Sequence, residues 1–150
     1  MGAAYTSFKF VHILIAIIAL GTSAGLGVVL EFFGDHPVHG GFVLGAIRRL
    51  LYFLVLPGYV LMLLTGMWMG HVAGLLDAHW TEAAMNLWGI GALFIATSLV
   101  ALHRQIKLFT SAGPDSRAYR RMAWLGRLSG AGAGAIVVTI VYFMVFKPVG

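Results

Sequence analysis

The chain has 150 residues, of which 60% are hydrophobic and only 10% charged, and its net charge is +5. A water-soluble domain carries about 25% charged residues, so the composition excludes an ordinary soluble fold, and the length leaves room for one domain. The absence of cysteine excludes disulfides, thiolate zinc sites, Cys-ligated iron–sulfur clusters and thioether-attached haem. The positive balance does not point to nucleic acid, because the basic residues flank apolar runs and no nucleic-acid module is present.

Four stretches, Phe10–Leu30, Leu50–Leu76, Ala83–Leu102 and Leu128–Phe146, contain no Asp, Glu, Lys or Arg. About 20 apolar residues rising 1.5 Å each cross a hydrocarbon core of about 30 Å, and a helix satisfies its own backbone there. The predicted fold is therefore all-α, an integral membrane four-helix bundle in a single domain, with spans at about 8–33, 49–74, 83–103 and 127–146. Its surroundings are a lipid bilayer.

The amino terminus lacks a basic signal region, and the first span is too long for a signal peptide, so it is expected to stay attached. Met1-Gly-Ala-Ala-Tyr-Thr6 fits the loose N-myristoylation pattern, which adds little to a chain already in the membrane. Span one carries Gly21, Gly25 and Gly27; the last span carries Gly126, Gly130 and Gly134. Small residues four apart allow close backbone approach in lipid, which predicts that spans one and four cross closely. Such faces serve equally well between subunits. In span two, Pro57-Gly58 predicts a kink, with Thr65 or a neighbouring helix taking up the freed carbonyl.

Charge sets the topology. Arg48 and Arg49 follow span one, and Arg104, Lys107, Arg117, Arg120, Arg121 and Arg127 lie between spans three and four. Asp77 to Glu82 has no basic residue at all. The positive-inside rule places both basic loops in the cytoplasm and both termini on the outer side, with Lys9 and Lys147 the exceptions. Trp80 and Trp88 then fit an outer aromatic belt, and Trp124 and Tyr119 an inner one. The segment 115–127 is expected to lie as a basic amphipathic stretch on the inner leaflet.

Polar groups inside a membrane are the default candidates for chemistry. His12 lies near the outer end of span one. His71 lies about 31 Å of helix beyond the inner boundary of span two, at a matching outer depth. Two imidazoles at one depth can axially ligate haem b, with Lys9 steadying a propionate and Gly66, Gly70 and Gly74 clearing room for the ring. Structural alternatives stand beside this: His71 as an interfacial imidazole, and His12 bonded to a neighbouring carbonyl. At the inner end, His36, His39 and His103 with Glu31 and Asp35 form a weaker candidate for a second haem or a metal site, or His36 and His39 simply a solvated loop. Glu31 is expected to pair with Arg48 or Arg49. Asn86, Thr97, Ser98 and Thr139 are uncharged, so no ion-coupling group sits at mid-depth, which argues against a transporter.

Three stretches carry a family resemblance: Lys9-Phe-Val-His12, Pro57-Gly58-Tyr59 through Leu64-Thr65-Gly66, and Met144-Val-Phe-Lys147-Pro148. Together they resemble the bacterial four-span family known as domain of unknown function number twenty-two sixty-nine, described as predicted integral membrane proteins. The resemblance covers nearly the whole chain and implies a multi-pass protein of the bacterial inner membrane, with no established activity. The opening Lys-x-x-His also resembles the copper-resistance D-type proteins and the four-span membrane protoporphyrinogen oxidase, whose first-span His implies haem or porphyrin chemistry. Only His12 carries that second resemblance. The oxidase's basic residue within a later span has no counterpart here, which argues against protoporphyrinogen oxidation.

Three functional readings follow. The first is a haem b protein serving electron transfer, with His12 and His71 as axial ligands. The second is a non-catalytic accessory or assembly subunit of a larger membrane complex, or a homo-oligomer. The third and weakest is a small-molecule or metal permease. On none of them is the chain expected to be an enzyme by itself.

Overall fold

The computed structural model describes residues 2–147. Met1 and Pro148, and with them parts of the myristoylation and closing motifs, lie outside the described residues. The described chain forms five α-helices: α1 (Ala3–Phe33), α2 (Gly40–Leu50), α3 (Leu56–Val72), α4 (His79–Ser111) and α5 (Arg117–Phe146). A π-helical segment, Leu51–Val55, joins α2 to α3 without a break, so Gly40–Val72 is one continuous rod. Four helical rods of 30 to 33 residues result, each long and apolar enough to cross a membrane. Only 6–17% of each apolar window is buried. Apolar side chains facing outward on every rod suit a hydrocarbon solvent, where burial inside the protein brings no hydrophobic gain.

The π segment is the local answer to Pro57. Proline has no N–H to return to the preceding turn, and an interior proline breaks the α pattern. Here the Leu56 N–H bonds to the Leu51 carbonyl, five residues back. The widened turn ends immediately before the proline, a common form of bulge inside long helices. The expected kink is therefore a π bulge. Thr65 plays no part in it, because its hydroxyl donates to the Leu61 carbonyl at 2.7 Å.

The rods pack in two antiparallel pairs. In the α1–α3 pair, Phe8 stacks on Trp68 with ring centroids 4.0 Å apart, His12 meets Thr65, and Ala19 fits against Gly58. In the α4–α5 pair, Phe94 lies against Gly132 and Ala101 against Gly126, and the Lys147 ammonium stands 6.0 Å from the Trp80 ring. Both approaches are close. A Cβ added at Gly58 would come within 2.7 Å of the Ala19 Cβ, which has no rotamer to move away, and one at Gly132 within 2.5 Å of the Phe94 ring, which would have to shift.

Spans one and four do not cross as predicted. Added Cβ atoms at Gly21, Gly25, Gly27, Gly130 and Gly134 would meet nothing within 4 Å. The helices pair instead where a single glycine receives a bulkier neighbour, and the glycine runs are left facing outward.

Two regions of contact join the pairs. Partway along the rods, the Tyr59 hydroxyl donates to the Trp88 carbonyl at 2.9 Å, and the two rings stack 4.9 Å apart. Gly91 gives the phenol its room. Trp88 is thus a packing residue between helices. The second contact is at the end holding the α1–α2 and α4–α5 loops, called here the basic end. Leu44 and Ile47 of α2 meet Leu102 of α4 and Tyr119 and Ala123 of α5 in the main buried cluster. The described ends of the chain lie together at the opposite, terminal end.

Candidate functional site

At the terminal end, the α1–α3 seam holds the sequence-predicted His12. Its Nδ1 lies 2.7 Å from Thr65 Oγ1. Thr65 has one hydroxyl proton, and that proton goes to the Leu61 carbonyl. The Thr65 oxygen is then the acceptor, His12 Nδ1–H the donor, and His12 Nε2 keeps its lone pair. Gly66 lies beside the ring: a Cβ there would come 3.4 Å from His12 Cε1, an ordinary contact distance. Thr65 was singled out in the sequence for a different carbonyl, and its role as the partner of His12 was not legible from spacing.

The structure does not place His71 at the depth of His12. The pairs Phe8–Trp68, His12–Thr65 and Ala19–Gly58 fix an antiparallel register in which His71 lies level with Thr6. That is six residues, or about 9 Å, further along the helix. The cause is the length of α1. It begins at Ala3, so His12 is more than two turns inside the helix, whereas His71 is in the last turn of α3 and exposed. Lys9 is exposed beside Phe8.

The three glycines expected to clear room for a haem, Gly66 and Gly70 in α3 and Gly74 just beyond it, have other places. Gly66 lies beside His12, and Gly70 lies against Leu76. Gly74 ends α3 with φ +64°, while Leu75 N–H returns to Gly70 and Gly74 N–H to His71. This is the Schellman arrangement, in which a positive φ favours glycine.

The other histidines stay at the basic end and do not gather. His36 Nδ1 accepts from the Val38 and His39 backbone N–H groups, each at 3.2 Å, and the two imidazoles stack 4.8 Å apart. His103 Nδ1 donates to the Leu99 carbonyl at 2.9 Å, with the Tyr52 ring edge-on to it. Among the described residues, no group of three or more His, Asp or Glu side chains is placed to hold a metal ion. Glu31 and Asp35 are both committed to Arg127, at 2.8 and 3.2 Å. Arg127, not Arg48 or Arg49, is the partner of Glu31.

A fully buried, hydrogen-bonded polar group lies at this end. Tyr119, expected in an interfacial belt, is 0% exposed. Its hydroxyl donates to the Gly34 carbonyl at 2.7 Å and accepts from Gln105 Nε2 at 2.9 Å. Gln105, the one glutamine of the chain, is 2% exposed. It follows Ala101 and Leu102 by four and three residues, so it shares their buried helical face. That spacing was the available signal.

The segment expected to lie along the leaflet is instead the first three turns of α5. Ser116 caps it, accepting from the Tyr119 N–H at 3.2 Å. With the end of α4 it forms a hairpin that continues past the charge-free runs. Its outward face carries an open groove of about 910 Å³ lined by Arg104, Lys107, Arg120 and Arg121 with Trp124 and Leu125.

Comparison with known proteins gives one assignment. The family model described as predicted integral membrane protein (DUF2269) matches residues 6–148. This chain belongs to that family. It is accordingly an integral, multi-pass membrane protein, and the family description names no activity. Neither the curated proteins nor the solved structures gave a match.

Proposed function

We propose that this member of the DUF2269 family is a non-catalytic accessory or assembly subunit of a larger complex in the bacterial inner membrane, with its basic end toward the cytoplasm. The observation that carries this reading is the outward direction of the glycine faces. Gly21, Gly25 and Gly27 on α1 and Gly130 and Gly134 on α5 have open space where a Cβ would go. In lipid, small residues let another helix approach closely, and close packing is what drives helix association there. Eight basic residues at one end against Lys9 and Lys147 at the other support the orientation.

The test is purification from native membranes in mild detergent. Wild type should co-migrate with larger partners. Gly25→Leu and Gly130→Leu should release it as a folded monomer, because those side chains would obstruct a partner and nothing within the chain. A wild-type protein that leaves native membranes as a partner-free species contradicts the reading.

A second reading is favoured by His12: axial ligation of haem b in an electron-transfer role. Metal-ligating histidines bind through one ring nitrogen while the other donates a hydrogen bond that fixes the tautomer. The Thr65 contact supplies that second bond and leaves Nε2 unprotonated. Lys9, at the same end, is suited to pair with a propionate. His71, about 9 Å further along, is a poor second ligand to the same iron, since metal–imidazole bonds are about 2 Å. Under this reading the purified protein shows a Soret band that His12→Ala abolishes. An unchanged spectrum in that variant removes His12 from the assignment.

A further inference from the structure

We propose that the outward face of the α4–α5 hairpin is a binding site for one anionic phospholipid, an inference independent of the accessory-subunit reading. Four cations converge on a single groove: Arg104 and Lys107 from α4, Arg120 and Arg121 from α5. Among the described residues, none of the four is in an ion pair. Both salt bridges of the described chain belong to Arg127. Arg120 bonds only to the Asp115 backbone carbonyl, at 2.8 Å. Four unpaired charges on one exposed face attract an anionic partner, and Arg in particular matches phosphate geometry.

The apolar lining of the groove points to the kind of anion. Trp124 is 62% exposed beside the cations, as an interfacial tryptophan is placed. Leu125 belongs both to this groove and to a second one of about 330 Å³, lined by Leu93, Phe94, Thr97 and Leu128 within the apolar run. The two grooves share that wall, on one face of one helix pair. Leu93 lies eleven residues from Arg104 along α4, about 16 Å deeper. A charged seat beside an open apolar groove that extends about that far along the helix pair fits a phosphodiester headgroup with an acyl chain below it. A free phosphate would use only the upper part. Basic pockets between membrane helices are where acidic lipids bind.

The experiment is native mass spectrometry of the detergent-purified protein titrated with phosphatidylglycerol and phosphatidylcholine. Wild type should retain phosphatidylglycerol preferentially. Arg104→Gln/Lys107→Gln/Arg121→Gln should lose that preference, by about fivefold per charge removed. Arg48→Gln/Arg49→Gln should keep it. Leu93→Trp, which fills the apolar groove, should weaken phosphatidylglycerol retention while leaving all four cations in place. If the triple variant does not fold, Arg104→Gln and Arg121→Gln singly give the same readout. Unchanged preference in the charge variants overturns the proposal, as does equal loss in the Arg48/Arg49 variant, which would mean diffuse attraction. Displacement of the lipid by excess inorganic phosphate, with no effect of Leu93→Trp, would make this a free-anion site and overturn the lipid assignment.

Discussion

The phenol of Tyr119 donates to the carbonyl of Gly34 at 2.7 Å, joining residues 85 apart in the chain. Gly34 ends α1 and Tyr119 opens α5, so the bond ties the first rod to the last at the basic end. The Gln105 amide on the same oxygen adds α4. Tyr119→Phe keeps the ring and removes the acceptor of Gln105 and the donor to Gly34. Buried groups left unpaired cost about 1–3 kcal/mol. The variant should therefore unfold at lower denaturant concentration in detergent, and Gln105→Leu in the same background should recover part of the loss. Unchanged stability of Tyr119→Phe would show that the phenol does not hold the helices together.

Arg127 joins the same region but is a different kind of contact. Its side chain is 37% exposed, and those of Glu31 and Asp35 are 59% and 50% exposed. Exposed ion pairs contribute about 0–1 kcal/mol, screened further by salt. Arg127→Gln should cost under about 1 kcal/mol, and the cost should shrink at high ionic strength. A larger, salt-insensitive loss in the same unfolding measurement would mean that the pairs are shielded within the assembly.

The glycines divide into two classes that mutation can separate. A Cβ at Gly58 would sit 2.7 Å from the Ala19 Cβ, while one at Gly25 would meet nothing. Overpacking a close contact costs about 1–3 kcal/mol, whereas Gly to Ala in an open helix position gains about 0.5–1 kcal/mol. Gly58→Ala should destabilise the isolated chain and Gly25→Ala should not. Equal effects of the two in thermal unfolding would contradict the α1–α3 packing.

These contrasts show what the sequence could tell. Span number and helical class follow from charge-free runs, a property of composition alone. Which glycines pack was not legible, because a small residue reports only that a neighbour can approach. Gly132 receives Phe94 and Gly91 receives Tyr59 because those side chains happen to face them. The regular spacing at Gly126, Gly130 and Gly134 marked a different face, of which only Gly126 has a neighbour within the chain. The depth of His71 is not legible, because charge placement locates the apolar run and leaves the start of α1 open. Tyr119 was assigned to a belt from its neighbours in sequence, whereas its partners Gly34 and Gln105 come from other helices. Thr65 and His12 lie 53 positions apart, beyond the reach of any local spacing rule.

The most direct test of the central claim is site-specific photocrosslinking in native membranes, with the probe at Gly25 on α1 or at Gly130 on α5. If these open faces seat partner helices, both positions should give discrete crosslinked bands containing other membrane polypeptides, and a probe at the outward-facing Phe53, 83% exposed, should give none. Lipid adducts alone at all three positions would contradict the accessory-subunit account.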